Sequence, residues 1–139
     1  IDSGEYRGEM RYSFPFAKKM IDYLHQGDYK MAFDSLMHNH SIEAEICLSF
    51  LIKYVLYSVT AVKLASDDIH AADAAMATGF GWVPPLAVID ALGGKDAFMK
   101  LAQERLSSEL LARIKLKETL KDLPECSHYD FRSYFKGKQ

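Results

Sequence analysis

Residues 67–94 read DDIHAADAAMATGFGWVPPLAVIDALGG, and this stretch decides the fold. An alanine-rich helical pattern begins at Asp67–Asp68 and is expected to end at Gly79, where glycine fits the left-handed cap position. A second helix is expected to start at Pro84–Pro85 and to close at Gly93–Gly94, because proline suits a first helical turn and glycine a helix end. The Gly-Phe-Gly-Trp segment between them therefore predicts a tight turn joining two helices.

Helical spacing also dominates the rest of the chain, and no run of alternating apolar and polar residues predicts a strand. We therefore expect an all-α fold of about six helices packed around one long helix over 41–65. The chain is expected to form a single domain over 1–139, with a helical extension over 1–40 and a tail over 122–139. The tail is either a strap packed on the domain or a frayed end. The other helices are expected near 15–25, 28–38 and 96–120.

The helix expected over 41–65 begins with a good N-cap, Ser41, and its interior is apolar nearly all round except at Lys53. A chain this small surrounds such a helix with difficulty, so we expect contact with a partner and self-association through Ile46–Val62. The charged residues leave no uncharged run close to the roughly 18–20 residues that span a bilayer. No membrane span is therefore expected.

Composition and charge narrow the class of protein. The 139 residues carry a net charge of −2, with 49% hydrophobic and 26% charged residues, as in a globular protein. This charge makes a nucleic-acid partner unexpected. Cys47 lies in an apolar helical run and is expected to be a buried thiol, whereas Cys126 falls in a predicted loop. The spacing of the two cysteines does not indicate a disulfide, and the first residues are polar, unlike a signal peptide. Both features predict a cytoplasmic location.

Two clusters resemble ligand sites without meeting their requirements. Gly79-Phe-Gly81 could be half of a dinucleotide fingerprint, but a helix precedes it and Pro84 takes the third glycine position, so no cofactor site is expected. His38 and His40 could bind a metal, but zinc needs three or four ligands, so we expect a polar loop and no metal.

Several titratable groups lie close together at Asp67, Asp68, His70 and Asp73. A carboxylate beside a histidine is suited to acid–base catalysis, but aspartates at a helix start are also what capping requires. Asp73 lies past the first turn, and a buried hydrogen bond to neighbouring backbone is its expected role. No catalytic residue is assigned.

The turn formed by Phe80, Trp82, Pro84 and Pro85 is rigid and apolar. Trp82 either fills the core between the flanking helices or, with the rest of the loop, lines a groove for an acyl chain or another subunit. The sequence leaves both alternatives open.

The motif D-I-x-x-x-D-x-A-M-x-x-G-F-G-W, followed by a proline-containing helix start and D-x-x-G, resembles the C-terminal helical domain of 3-hydroxyacyl-CoA dehydrogenases. That domain is similar to the helical half of 6-phosphogluconate dehydrogenases. The resemblance covers about 41–101. The matching positions are Asp68, Ile69, Asp73, Ala75, Met76, Gly79, Phe80, Gly81, Trp82, Pro85, Asp90 and Gly93.

The resemblance implies an accessory domain of a β-oxidation oxidoreductase. In the family, a Rossmann domain binds NAD and supplies a His–Glu pair, whereas the helical domain covers the substrate cleft, contacts acyl-CoA and dimerises. Neither the fingerprint nor the pair is present here, so the chain alone is expected to be inactive. The partners implied are the Rossmann domain, a sister helical copy and a second chain in a homodimer.

Two departures from the family indicate a second, degenerate copy. The family's substrate-side copy carries an Asn-Arg near the start of the long helix, where this chain reads Phe50-Leu-Ile-Lys-Tyr54. The loop after Trp82 is also shorter than is common. The alternative is that the chain is not part of an enzyme but a free-standing helical module for protein–protein interaction.

Overall fold

The computed structural model describes residues 14–124, and these residues form helices and no strand. The predicted all-α fold is confirmed. Eight α-helices follow one another in this range, with a π-helical turn, Ala75–Phe80, between the fourth and the fifth. The helices are α1 (Pro15–Gln26), α2 (Tyr29–Met37), α3 (Ile42–Ala65), α4 (His70–Ala74), α5 (Pro85–Ala91), α6 (Lys95–Arg105), α7 (Ser108–Ile114) and α8 (Leu116–Lys121).

Helix α3 lies at the centre of the fold and packs against α2, α4, α5, α6 and α8. The Ser41 hydroxyl caps its start by accepting the amide of Ala44 at 3.3 Å. One face of α3 enters the core, where its apolar residues recur at helical spacing. Helix α5 is the second element of this core, since nearly all of its residues are buried. The buried apolar residues of α3 are Ala44, Leu48, Ile52, Tyr54, Val55, Leu56 and Val59.

Residues 14–40 form a helical hairpin that packs through α2 on α5 and α3. Gly27 ends α1 in the left-handed conformation, with φ 76°, which glycine adopts without steric penalty. Asp28 then caps α2 by accepting the amide of Met31 at 3.0 Å. The first part of the expected extension, residues 1–13, lies outside the described residues, as does most of the tail, 125–139.

The single helix predicted over 96–120 is wrong, because this region forms α6, α7 and α8. Leu106 adopts an extended conformation that buries its side chain, and Ser107 then caps α7 by accepting the amide of Leu110. A second break follows at Lys115, which is left-handed with φ 50°. Local capping and the burial of Leu106 thus outweigh the continuous helical pattern. The described residues accordingly hold eight helices rather than about six.

The burial predicted for Cys47 is also wrong, since this thiol is exposed. Helix α3 is apolar on more than its core-facing side, so its composition does not reveal which residues are covered. Cys126 lies outside the described residues.

Length and composition alone would allow α3 to cross a membrane. Its most apolar 18-residue window has a mean hydropathy of 1.5, and 39% of that window is buried in the fold. A core helix of a globular domain satisfies the same criteria, and α3 packs on five other helices. The absence of a membrane span stays a prediction.

Candidate functional site

An open groove of about 540 Å³ lies between α3 and the turn that ends at Trp82. Aromatic side chains form most of its wall, and Lys53 is the one charged side chain among its lining residues. A groove of this size falls in the range of ligand and docking sites. Its lining residues are Phe50, Lys53, Tyr54, Tyr57, Met76, Phe80 and Trp82.

Trp82 forms the wall of this groove opposite α3. Its ring lies 5.3 Å from the ring of Tyr54 and 6.0 Å from that of Phe50, centroid to centroid, at tilts near 60°. Such tilted aromatic pairs contribute about 0.5–1.5 kcal/mol beyond the area they bury. The Trp82 residue is 47% exposed. Trp82 therefore lines the groove and is not enclosed in the core.

One hydrogen bond holds the turn against α3, and a second closes the turn itself. The Tyr54 hydroxyl donates to the carbonyl oxygen of Val83 at 2.6 Å, across 29 positions of sequence. The amide of Trp82 donates to the carbonyl of Met76 at 2.9 Å, which closes the π-helical turn. Burial and, to a smaller extent, the charge of Asp73 raise the pKa of Tyr54 to about 12, so its hydroxyl remains a donor at neutral pH.

Asp73 fixes the other end of the turn. Its Oδ1 accepts the backbone amide of Leu86 at 3.0 Å, and the residue is fully buried. Pro84 and Pro85 have no N–H, so Leu86 offers the first amide of α5. A carboxylate at this position also interacts favourably with the helix dipole. The hydrogen bond to neighbouring backbone expected of Asp73 is thus observed.

The glycines of the turn have different roles from those expected. Gly79 is not left-handed but lies inside the π-helical turn, and the left-handed residue that ends it is Gly81, with φ 67°. The prediction for Gly79 is wrong because the wider π-turn carries the helical segment on to Phe80. A Cβ at either glycine would meet no atom within 4 Å, so only the backbone conformation of Gly81 requires glycine.

The other motif residues shape the helix ends rather than the groove. The Asp68 carboxylate accepts the amide of His70, two residues on, at 2.9 Å, as in an Asx turn at the start of α4. Asp67, Asp68 and His70 are exposed, whereas Asp73 is buried. The four titratable groups therefore do not share one environment.

The motif's second part, Asp90 and Gly93, lies at the end of α5. Gly93 has φ 102°, and a Cβ there would lie 3.0 Å from the Cβ of Ala97, so glycine is required for both conformation and space. These residues lie apart from the groove lining and set the path of the chain into α6.

The two histidines of the cluster lie near different groups. His38 Nδ1 lies 3.0 Å from the carbonyl oxygen of Asp34, one turn earlier on α2, and His40 Nδ1 lies 4.0 Å from a carboxylate oxygen of Glu45. Within residues 14–124, no group of three or more His, Cys, Asp or Glu residues could hold a metal ion.

Sequence reasoning missed the α3 half of the groove. Phe50, Tyr54 and Tyr57 recur at intervals of four and three, so they share one side of the helix, which is a signal that the sequence contains. The lining carries no carboxylate, imidazole or thiol. Apolar and aromatic surface therefore makes up nearly all of the groove wall.

The described residues thus form an all-α fold that carries an open, largely aromatic groove. The chain is similar to a probable 3-hydroxyacyl-CoA dehydrogenase of Bacillus subtilis (strain 168), with 33% identity over 75 residues. The match covers 53% of this chain and 10% of the relative. The chain is therefore similar to a small part of a probable dehydrogenase. No family model matches, and no solved structure matches.

Proposed function

We propose that this chain is an accessory helical domain of an NAD-dependent 3-hydroxyacyl-CoA dehydrogenase of β-oxidation, a C-terminal and degenerate copy in the cytoplasm. The observation that carries the proposal is the unit from Asp73 to Leu86, where the residues of the family-like motif build the wall of an apolar groove. The similarity to a probable 3-hydroxyacyl-CoA dehydrogenase supports the same proposal.

In this proposal the hydride transfer takes place on another part of the parent protein. NAD bound to a Rossmann domain would accept the hydride, and a His–Glu pair there would handle the proton. The groove of this chain contributes apolar surface, which excludes water from the region that it covers. Phe80 and Trp82 would contact the Rossmann domain, a sister helical copy or the acyl part of the substrate.

Two measurements test this function. Purified chain mixed with NAD and 3-hydroxybutyryl-CoA should produce no NADH, because in this proposal the NAD-binding Rossmann domain and its His–Glu pair lie on another part of the parent protein. In extracts of the source cells, an antibody raised against the chain should detect a protein well above 15.8 kDa. A band at 15.8 kDa would contradict an accessory domain.

The second candidate is a free-standing helical module that docks a protein partner. The exposed apolar side of α3 favours it, since Ile42, Tyr57 and Leu64 contact water there. The blot separates the two functions, because a complete module would be detected at the mass of the chain itself. Affinity capture with a Trp82→Ala control would then identify the partner.

A further inference from the structure

The aromatic groove lies on the side of α3 that faces away from the core, and apolar surface continues from it toward the end of the helix. Tyr57 in the groove lining is 74% exposed, and Leu64, two turns further on, is 86% exposed. Phe80 and Trp82 extend the surface sideways. Apolar patches larger than a few hundred Å² mark contact sites on most globular proteins, so this surface calls for an occupant.

Two charged side chains lie on the same side of α3 as the groove. Lys53 belongs to the groove lining and is exposed. Glu43 is exposed and lies two helical turns before Phe50, which places it on the same side of the helix. At 1.5 Å per residue, about 15 Å separates Glu43 from Lys53 along the helix. An occupant that runs from the end of α3 toward its start therefore meets a positive charge first and a negative charge later.

The tail of the chain, residues 125–139, combines aromatic residues with the complementary order of charges. It lies outside the described residues and reads ECSHYDFRSYFKGKQ. Its aromatic part begins at Tyr129 and is followed at once by the acidic Asp130, whereas the arginine and the lysines come later. The aromatic residues are Tyr129, Phe131, Tyr134 and Phe135, and the basic residues are Arg132, Lys136 and Lys138. Aromatic side chains suit an aromatic groove wall, because tilted ring pairs are favourable.

The described chain ends close enough to the groove for the tail to reach it. The Nζ atom of Lys63, near the end of α3, lies 3.6 Å from a carboxylate oxygen of Asp122, just past α8. From Lys63 to Tyr57 the path is about 9 Å along the helix and roughly 12 Å around it. The seven residues that lead from Pro124 to Phe131 span up to about 23 Å when extended. Phe131 and the residues after it can therefore enter the groove.

The other segment outside the described residues is less well suited to this groove. Residues 1–13 lead into α1, which packs chiefly on α2 rather than on α3. Acidic and basic residues also alternate in that segment, from Glu5 and Arg7 to Glu9 and Arg11. Neither its position nor its charge order matches the open side of α3.

We propose that the tail of the same chain covers the groove and runs from the end of α3 toward its start. Its aromatic side chains fill the groove beside Trp82, Asp130 pairs with Lys53, and its later basic residues approach Glu43. Exposed ion pairs contribute little to stability, so the aromatic contacts supply most of the affinity and the charges set the direction. This inference goes beyond the accessory role proposed above, because any other occupant of the groove first has to displace the tail.

The first test is cross-linking of the whole chain with a carbodiimide, which joins an amine to a carboxylate in contact with it. Mass spectrometry of the digested monomer band should find Lys53 joined to Asp130. The Lys63–Asp122 pair is the internal control, since this contact lies within the described residues. Detection of the control link without the Lys53–Asp130 link would overturn the proposal. A Lys53–Asp130 link confined to a dimer band would also overturn it, by assigning the tail to another molecule.

The second test removes aromatic contacts and keeps the charges of the tail. Phe131→Ala combined with Phe135→Ala should abolish the cross-link between the tail and α3. The emission of Trp82, the single tryptophan of the chain, should shift to the red and be quenched more readily by acrylamide. Both changes should be independent of protein concentration, because the contact is intramolecular.

Tyr6→Ala combined with Tyr12→Ala is the matched control, since it removes two aromatic residues from the other end of the chain. This control should change neither the cross-link nor the quenching of Trp82. None of the four substituted residues belongs to the described core, so circular dichroism should match the parent chain. Equal quenching of Trp82 in the parent and in the tail variant would overturn the tail as the cover of the groove.

An exchange of charges tests the direction of the tail. Lys53→Glu should expose Trp82 to quenching, because it sets two negative charges together, and Asp130→Lys in the same chain should restore the protection. Lys53 is exposed, so the substitution leaves the core intact. Failure of the double variant to restore protection would overturn the pairing of Lys53 with Asp130. Either negative result leaves the accessory role standing, because native size and activity test that role separately.

Discussion

The carboxylate of Asp73 on α4 accepts the backbone amide of Leu86 on α5 at 3.0 Å, inside the core. This contact joins two helices across a turn that bears the aromatic wall of the groove. It explains why the motif combines an aspartate with a proline pair. The prolines fix the start of α5 and leave the Leu86 amide as its first hydrogen-bond donor. Because this amide is buried, it needs an acceptor within the protein, and Asp73 provides it.

Asp73→Ala should lower the free energy of unfolding by roughly 2–4 kcal/mol, because it leaves the buried Leu86 amide unsatisfied and removes a helix cap. Urea denaturation followed by circular dichroism measures the change. Asp73→Asn keeps a hydrogen-bond acceptor, so its free energy of unfolding should lie between those of Asp73→Ala and the parent. Asp68→Ala is the exposed control, because Asp68 accepts the amide of His70 at the surface, and its expected loss is about 0.5–1 kcal/mol. Equal losses at Asp73 and Asp68 would contradict the buried contact.

Tyr54→Phe should cost about 1 kcal/mol of stability, because Val83 loses the donor of its hydrogen bond. The turn is then held less firmly, so the emission of Trp82 should shift to the red and be quenched more readily by acrylamide. Tyr57→Phe is the matched control, since Tyr57 is exposed. Identical quenching in both variants would show that this hydrogen bond does not position Trp82.

The raised pKa of Tyr54 predicts alkaline destabilisation. Its folded-state pKa of about 12 exceeds the unfolded value of 10.0, so the neutral phenol is favoured by folding. This stability is fully present below pH 10 and is lost as the pH rises through the folded-state value. The free energy of unfolding should therefore fall more steeply above pH 10 in the parent than in Tyr54→Phe. Parallel pH profiles of the two proteins would contradict the shift.

Gly81→Ala should destabilise the fold by about 1 kcal/mol, because Gly81 is left-handed with φ 67°. Gly79→Ala should be neutral or stabilising by up to about 1 kcal/mol, since Gly79 is helical and has open space around it. The pair forms its own control, with the same substitution two residues apart. Thermal unfolding would show the opposite order if Gly79 ended the helix.

Ser58→Ala should raise stability by about 0.5–1 kcal/mol. The Ser58 hydroxyl is buried on α3 and has no hydrogen-bond partner among the described residues, and alanine is the better helix former. Ser35→Ala is the contrasting variant, because the Ser35 hydroxyl donates to the Ala32 carbonyl at 2.7 Å. A loss of stability in Ser58→Ala would show that its hydroxyl is satisfied in solution.

Helix positions with strong local signals could be predicted from the sequence. Ser41 and Asp28 cap their helices through hydrogen bonds to the following turn, and Pro85 starts α5. Two of the failures occurred where a tertiary contact competes with a local signal. Leu106 leaves the helix because its side chain is buried, and Cys47 is exposed because other faces of α3 supply the core. Neither outcome is visible in residue spacing.

The amino-acid sequence alone determined the all-α class, the long apolar helix and the start of α5 at the proline pair, because periodicity, caps and prolines act within a few residues. Only the tertiary structure decided that Phe50, Tyr54 and Tyr57 meet Trp82 to form a groove. A helix that is apolar on several sides has no unique inner face until its neighbours pack. Here α5 and its neighbours cover one side and leave the side with Phe50, Tyr57 and Leu64 exposed.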